Sequence, residues 1–465
     1  MKLYNTLTRQ IEEFKPAVDK QITMYSCGPT VYDRLHVGNW SSYIRWDTLV
    51  RTLKLSGYDI RRVINITDVG HLVSDADEGE DKLEKGARRE GKSAWEIARL
   101  YTDDFKAGMH ALNLLPPEIY AIATEHMPEQ IDLIKKLETK GFTYKISDGI
   151  YFDISKFPTY ADFAKLDLKD QKTGARFTPN PQKRQPQDFA LWKFSPAGHK
   201  RDMEWDSPWG KGFPGWHLEC SAMALKYLGE TIDIHTGGID HIPVHHTNEI
   251  AQSEAATGKR FVNFWLHNNF MLVDDSKISK SLRNGITLQD ISENGFSAMD
   301  LKMLVLQSHY RSETHFSWDN LRAAKSRLGS YRAMADMVWQ PAEDAQEAAG
   351  RYARQADMQA ALQNDLDTPT ALSLLSAIAD DINTNLISEE EAGSLSEFLS
   401  YLDEAFGLDL SKREDISDEQ KTLITRRESA RHRNNWGESD KIRTELAAQG
   451  IELNDTAKGT VWSKI

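Results

Sequence analysis

The spacing of hydrophobic positions changes several times along the chain, and each change marks an element. Residues 22 to 27, ITMYSC, alternate like a half-buried strand and run into GPTVYD, a turn built from Gly and Pro. In NWSSYIRWDTLVRTLKLSGY the residues Tyr43, Trp46, Leu49, Val50 and Leu53 recur at helical spacing until Gly57 stops the run. The segment 60 to 67, IRRVINIT, reads as a strand again. Strand, helix, strand predicts a βαβ unit, hence an α/β fold on a parallel sheet whose ligand site lies beyond the strand carboxyl ends.

Beyond Asp68 the run VGHLVSDADEGEDKLEKGARREGKS is polar and strongly charged, as a surface excursion would be, and a helix is expected from Ala94 to about Leu112. Residues from about 115 to 208 read as an insertion with a helix from His126 to Gly141 and a short strand, GIYFDI. The Pro, Lys, Gln and Arg content of FTPNPQKRQPQ predicts irregular chain there. Alternation returns in GETIDIHTGG and FVNFWLHNNFMLVDD, expected as returning strands of the first sheet. From about Asp300 the period is helical almost throughout, most clearly in ALQNDLDTPTALSLLSAI and EEEAGSLSEFLSYLDEAF.

Composition narrows the function. A chain of 465 residues has room for two to four domains. No stretch approaches the roughly 18 apolar residues of a membrane span, so a soluble, cytoplasmic protein is expected. Two cysteines, Cys27 and Cys220, are too sparse for a disulfide scaffold and suit a reduced compartment. A formal charge of −13 excludes a chain-wide nucleic-acid footprint, so any RNA must meet a local basic patch.

Chemistry concentrates in a few places. In HIPVHHTNEI, His241 and His245 stand four apart, as do His245 and Glu249, which on a helix is half of a metal site. Cys27 ends the first strand and Cys220 sits in GWHLECSAM, just before a returning strand. An α/β sheet would bring both to one crevice, giving the set Cys27, Cys220, His245 and Glu249, although each cysteine alone also suits a buried, inert position. LHVGN places His36 and Gly38 at a strand-to-helix turn, where an imidazole can reach a phosphate or simply cap the helix. KISKS carries Lys277 and Lys280, which could clamp a triphosphate or form a solvated basic loop.

HVGN early and KISKS late, flanking a βαβ sheet, resemble the paired ATP motifs of class I aminoacyl-tRNA synthetases. With MYSCGPTVYD, NITD, DFALWK, PGWHLECSAM, HHTNEIAQSEA and the ending RHRNNWGESDKIRTEL through GIELNDTAKGTVW, the chain is similar over essentially its whole length to the cysteinyl-tRNA synthetase family. The resemblance implies a Rossmann-like catalytic domain with its first half in residues 1–114, a connective insertion in 115–208, and its second half with the KISKS loop in 209–298. A helical stem-contact and bundle region in 299–405 and a small anticodon-binding domain in 406–465 follow.

The same resemblance implies ligation of L-cysteine to tRNA(Cys) through a cysteinyl-adenylate, with Mg²⁺-bound ATP. It also implies Zn²⁺ on Cys27, Cys220, His245 and Glu249, which the substrate sulfur would join as a further ligand. Thr67, Trp216 and His217 would wall the amino-acid pocket, and Asp240, after Gly237 and Gly238, would meet the ribose. His36 and Lys280, assisted by Lys277, would hold the transition-state phosphates, with Asn39 near the adenosine. Arg431, Trp436, Asp440 and Asp455 would read the anticodon, although a solvated helix face is the alternative for that patch.

No enzyme nucleophile and no editing domain are expected, and a monomer is. Three departures from the family pattern stand out. Asn39 replaces a second histidine, a longer loop follows Asp68 and carries His71, expected to be solvated, and His241 is added near the metal. His235, His241 and His246 compete as donors, with hydrogen-bonding roles expected for them. The alternatives are a ligase joining cysteine to an amino-sugar and a catalytically silent RNA-binding paralogue.

Overall fold

The computed structural model describes residues 1–71, 81–166, 180–195, 201–273, 276–278, 284–342, 345, 350–456 and 459–464, with Lys82 described by its backbone alone. The chain divides into two compact units. The first is 1–272, 277–290 and 310–314; the second is 273–276, 291–309 and 315–465.

In the first unit, strands β1 (Gln21–Ser26), β2 (Asp59–Ile66) and β3 (Ile119–Ile122) are followed by β8 (Ile232–Gly238) and β9 (Val262–Asn268) in one parallel sheet. Its order is β9, β8, β1, β2, β3. The chain leaves β1 toward β2 on one side and returns as β8 on the other, so a crevice opens beyond their carboxyl ends. Register fixes what lies there: Thr236 is opposite Ser26, and the Cys27 amide donates to the Thr236 carbonyl at 3.2 Å.

Helix α1 (Val37–Leu55) makes the first crossover and α2 (Ala94–Ala111) follows. Helix α4 (Trp216–Leu228) lays Cys220, Met223 and Ala224 into a core shared with Tyr25, Val63, Val262 and Trp265. At roughly 25 cal/mol per Å² of apolar surface, this burial seats the helix against the sheet. Helix α5 (Thr247–Thr257) connects β8 to β9.

The insertion differs from the expectation. The strand read from GIYFDI, β5 (Gly149–Phe152), is joined by β4 (Thr143–Ile146), β6 (Phe189–Phe194) and β7 (Gly212–Pro214), which are not expected, in a four-stranded antiparallel sheet preceded by α3 (Met127–Thr139), while the described part of FTPNPQKRQPQ, 180–187, is irregular as expected. Polar residues that obscure the alternation are consumed locally. Asp148 pairs with Lys193 at 2.7 Å, and Asp188 accepts from Tyr144 at 2.6 Å and from the Ile154 amide at 3.0 Å. Of the two runs expected to rejoin the first sheet, GETIDIHTGG does so as β8, and FVNFWLHNNFMLVDD does so only through Val262–Asn268; its later part, Met271–Val273, pairs in a separate small sheet.

The second unit is largely helical, as expected, but ends in a hairpin. Helices α6 (Asp418–His432) and α7 (Trp436–Ala448) pack on β10 (Ile451–Thr456) and β11 (Gly459–Lys464). Their core is Ile416, Ile424, Ile442, Leu446, Ile451, Leu453 and Trp462. Helical spacing dominates the region in sequence, and the two short strands at its end pass beneath that signal. Among the described residues no helix is long and apolar enough to cross a membrane.

Candidate metal and nucleotide site

Cys27 leaves β1 at the crevice because the following Gly28 lies against β2: a Cβ there would sit 1.6 Å from the Asn65 carbonyl oxygen. Only glycine fits so close an approach. Cys220 comes from the second turn of α4. His245 closes a wide π turn, Ile242–His246, that leads into α5, the helix that carries Glu249. The ligand atoms of Cys27, Cys220, His245 and Glu249 all lie within 4.8 Å of one another. The four side chains expected to share a metal are therefore brought together.

A second group, Cys27, His235, His246 and Glu249, meets the same distance test. Hydrogen bonding separates the two. His235 Nε2 lies 2.8 Å from Glu249 Oε2, and His246 Nε2 lies 3.3 Å from Cys27 Sγ. Both imidazoles are thus engaged as supports. His245 Nε2 and Glu249 Oε1 also lie 2.8 Å apart, but they face each other outside hydrogen-bonding geometry, buried and otherwise unpartnered. Either a proton on His245 or a cation held by all four groups satisfies this buried pair, and because the Cys27 and Cys220 sulfurs converge on the same point, the set with Cys220 and His245 fits a metal ion.

One placement of protons satisfies the surrounding imidazoles. Thr6 donates to His267 Nδ1 at 2.8 Å, His267 Nε2 donates to His246 Nδ1 at 2.7 Å, and His246 Nε2 donates to the Cys27 sulfur. His245 Nδ1 donates to His217 Nδ1 at 2.9 Å, which turns Nε2 toward Glu249 and the cysteines. Burial holds His217, His246 and His267 well below the usual histidine pKa, assisted by repulsion from His245 for His217 and from His235 for His246, so these rings are neutral.

Around the unpartnered pair the field is anionic. Burial alone would raise Glu249, but His235 and His245 outweigh it and hold the carboxyl at about 2. A hydrogen bond from Cys27 holds the Cys220 thiol at about 6 against burial, while Cys27 is pushed up. Burial disfavours a charged His245, yet Glu249 and Cys220 draw it up to about 10. The site favours positive charge.

The three residues that the resemblance gives to the amino-acid pocket, Thr67, Trp216 and His217, lie beside it. Thr67 is buried at the end of β2, with its amide donating to the Pro29 carbonyl at 3.0 Å. Trp216 meets His245 edge-on at 5.4 Å and stacks on His217 at 5.8 Å. His71, expected to be solvated, is instead buried, its Nε2 2.6 Å from Glu219 Oε1. The apolar stretch before it, including the buried Val69, draws the loop's start into the core. Of the three neighbouring histidines, His235 and His246 make the hydrogen bonds described above, while His241 Nδ1 is buried without a hydrogen-bond partner.

At the nucleotide end, His36 caps α1. Its Nδ1 accepts from the Asn39 amide at 3.3 Å, and its own amide donates to Asn39 Oδ1 at 3.2 Å. Asn39, placed near the adenosine by resemblance, therefore serves as the reciprocal half of a capping box. Accepting at Nδ1 leaves Nε2 as the protonated nitrogen of His36. Gly38 lies under the KISKS segment: a Cβ would come within 3.0 Å of Ile278 Cδ1. The Val37 amide donates to the Ile286 carbonyl at 2.8 Å, so the two motifs lie side by side. Lys277 Nζ stands 3.9 Å from the centre of the Phe270 ring, while Lys280 lies outside the described residues. At the end of β8, a Cβ on Gly237 would meet His241 and His246 at 2.6 Å, and one on Gly238 would meet Asp240 Oδ1 at 2.4 Å. Asp240 is exposed.

At the C-terminal patch the expected residues separate. Trp436 is 54% exposed, with the Arg431 guanidinium 5.8 Å from its ring, and Asp440 is exposed. Asp455 is engaged: Arg427, itself buried, donates to both its oxygens at 2.8 Å, and Arg431 donates at 2.6 Å. The sequence offers no signal for this pairing, nor for Glu219 and His267, which stand near the site only because the sheet and α4 bring them there.

Residues 13–326 match the family described as tRNA synthetases class I (C) catalytic domain, 357–411 the DALR domain, and 413–462 the cysteinyl-tRNA ligase anticodon binding domain. The chain is 44% identical to cysteine–tRNA ligase 1 of Burkholderia lata, over 99% of this chain and 96% of that one. It is 43% identical to the cysteine–tRNA ligase of Treponema denticola over the full length of both. Among solved structures, the methionyl-tRNA synthetase of Mycobacterium tuberculosis bound by methionyl-adenylate superposes with a TM-score of 0.56 at 14% identity, covering 84% of this chain and 89% of that one, which shows a shared fold.

Proposed function

The chain belongs to the cysteinyl-tRNA synthetase family, and from that premise we propose how its residues divide the work of an ATP-dependent cysteine–tRNA ligase. The reading with an amino-sugar acceptor and the silent paralogue find no support among relatives matched over their full length.

The observation that carries the assignment is the buried, unpartnered pair of His245 Nε2 and Glu249 Oε1 beside two cysteines. Zn²⁺ held by Cys27, Cys220, His245 and Glu249 would supply a soft cation for a thiol, separating cysteine from serine and alanine where an apolar pocket gains only about 1–3 kcal/mol per small group. Thr67, Trp216 and His217 wall the space beside those donors and orient the amino acid.

The cysteine carboxylate attacks the α-phosphorus of Mg²⁺-bound ATP and pyrophosphate leaves; the terminal adenosine hydroxyl of tRNA then takes the acyl group and AMP leaves. His36 donates from Nε2 toward the phosphates, and Lys277 and Lys280 neutralise the charge that grows on the leaving pyrophosphate. Gly38, Gly237 and Gly238 bring the nucleotide close to the backbone, and the exposed Asp240 meets the ribose. Trp436 stacks an anticodon base, Arg431 and Asp440 contact its neighbours, and Asp455 holds Arg431 in place. The division into 1–114, 115–208, 209–298, 299–405 and 406–465, and action as a cytoplasmic monomer, belong to the same reading.

The test is cysteine-dependent ATP–pyrophosphate exchange followed by charging of tRNA(Cys). Exchange with serine in place of cysteine should be undetectable. Exchange without charging, accompanied by transfer to an amino-sugar, would overturn the assignment.

A further inference from the structure

We propose that His71 and Glu219 form a positioning pair behind the amino-acid pocket, holding Thr67 and Trp216 where they meet the substrate cysteine. The inference rests on the reading above that Thr67 and Trp216 line that pocket.

Both members are out of solvent, His71 at 4% exposure and Glu219 at 0%. Their contact, His71 Nε2 to Glu219 Oε1, is 2.6 Å and joins segments 148 residues apart. Glu219 lies in the first turn of α4, three residues after Trp216, and so on the same helix face. The His71 ring lies beside the Trp216 indole, with centroids 6.3 Å apart and planes at 33°. One imidazole therefore braces the tryptophan directly and the glutamate beneath it.

The other route runs through Thr67. Asn65 Nδ2 donates to Thr67 Oγ1 at 3.0 Å, while Asn65 Oδ1 accepts from the Gly28 amide at 2.7 Å. The Thr67 hydroxyl faces the Glu219 carboxyl, whose Oε2 is buried and has no bond of good geometry. With Asn65 donating to it, Thr67 Oγ1 has one proton left to direct, and directing it at Glu219 leaves a lone pair as an acceptor for the substrate's ammonium group. Turning that hydroxyl requires a buried acceptor in this place, and holding the acceptor requires a partner on its far side. His71 is that partner. Apolar residues of equal volume would fill the same space without orienting either wall.

The proposal is tested by steady-state exchange kinetics on full-length His71→Ala, His71→Phe, His71→Gln and Trp216→Ala, with metal content and thermal midpoint measured on each. His71→Ala should raise KM for cysteine about ten-fold, the lower range for loss of an outer supporting contact, with KM for ATP and metal content unchanged and kcat within about three-fold. His71→Gln, which can again offer an N–H to Glu219, should recover most of the loss. His71→Phe, which keeps a ring against Trp216 without the nitrogen, should not, and it carries the test if the alanine variant fails to fold. Unchanged KM for cysteine in His71→Ala or His71→Phe, beside a raised value in Trp216→Ala, would overturn the pair while leaving the pocket standing. A loss of metal parallel to the loss of affinity would overturn it too, because the pair would then serve the donor set. Unchanged KM in Trp216→Ala would remove the pocket reading and the pair with it.

Discussion

Two of the places where ionisable side chains converge, around Cys27 and around Asp455, end in opposite states. In the first, His245 Nε2 and Glu249 Oε1 face each other at 2.8 Å with no hydrogen bond between them. In the second, Asp455 receives donors from both Arg427 and Arg431, and what faces solvent is Trp436 and Asp440. A buried group left without a partner points to something that binds there; one that is saturated by its own chain points to architecture. In the proposed division of work, the contrast gives Asp455 the holding of Arg431 and leaves contact with RNA to Arg431, Trp436 and Asp440.

The comparison breaks most visibly at the sulfur. Cys220→Ser should reduce metal from about one ion per chain to near none, and lower cysteine-dependent exchange by at least about 100-fold, because a hydroxyl is a poor soft ligand. Retained metal with retained exchange would make the buried pair at His245 and Glu249 an accident of packing.

At the other pole, Asp455→Ala should behave as a structural lesion. It leaves the Arg427 guanidinium buried without its carboxylate, at about 2 kcal/mol after discounting for the exposed edge of the pair. Urea unfolding would show it as a lower midpoint. The pH dependence has a defined sign. The Arg427 hydrogen bonds outweigh burial and hold the Asp455 carboxyl well below the usual range in the folded chain. Its stabilising contribution is therefore fully present above the unfolded value of about 3.9 and is lost as pH falls through the lower folded value. The difference in stability between the parent and Asp455→Asn should hold steady from about pH 7 to 5 and shrink below about pH 4.

Trp436→Ala sharpens the contrast from the functional side. Loss of one stacked base should raise KM for tRNA about ten-fold, equivalent to about 1.4 kcal/mol, with thermal midpoint and amino-acid exchange unchanged. The smallest effect belongs to Arg426→Ala. Its bond to Glu438 on α7 spans 2.8 Å at the surface, and its loss should change stability by no more than about 0.5 kcal/mol, read as a shift in the urea midpoint.

How much can be read in advance follows the same division. Only two cysteines occur, and His245 and Glu249 stand at helical spacing, so Cys27, Cys220, His245 and Glu249 announce themselves by type and spacing, and the sheet does bring them together. His36 is legible as a capping or phosphate-binding residue; that Asn39 completes its cap requires the helix geometry. Charged residues carry no such mark. Nothing local separates the buried Arg427 from the exposed Arg433, or His71 from a loop histidine, because their partners lie far along the chain. The antiparallel sheet of the insertion is hidden for the related reason that Lys193 and Asp188 are polar residues satisfied inside it.

The wide turn at Ile242–His246 makes this segment sensitive to length as well as to composition. Each residue of a regular helix advances the chain by about 100°, so adding or deleting one position before Thr247 would rotate the preceding side chains by that angle relative to α5. An insertion would carry His246 to the place that His245 holds, and a deletion would carry His245 to that of His246. Related chains that shift which imidazole meets the carboxylate should differ here by an insertion or deletion.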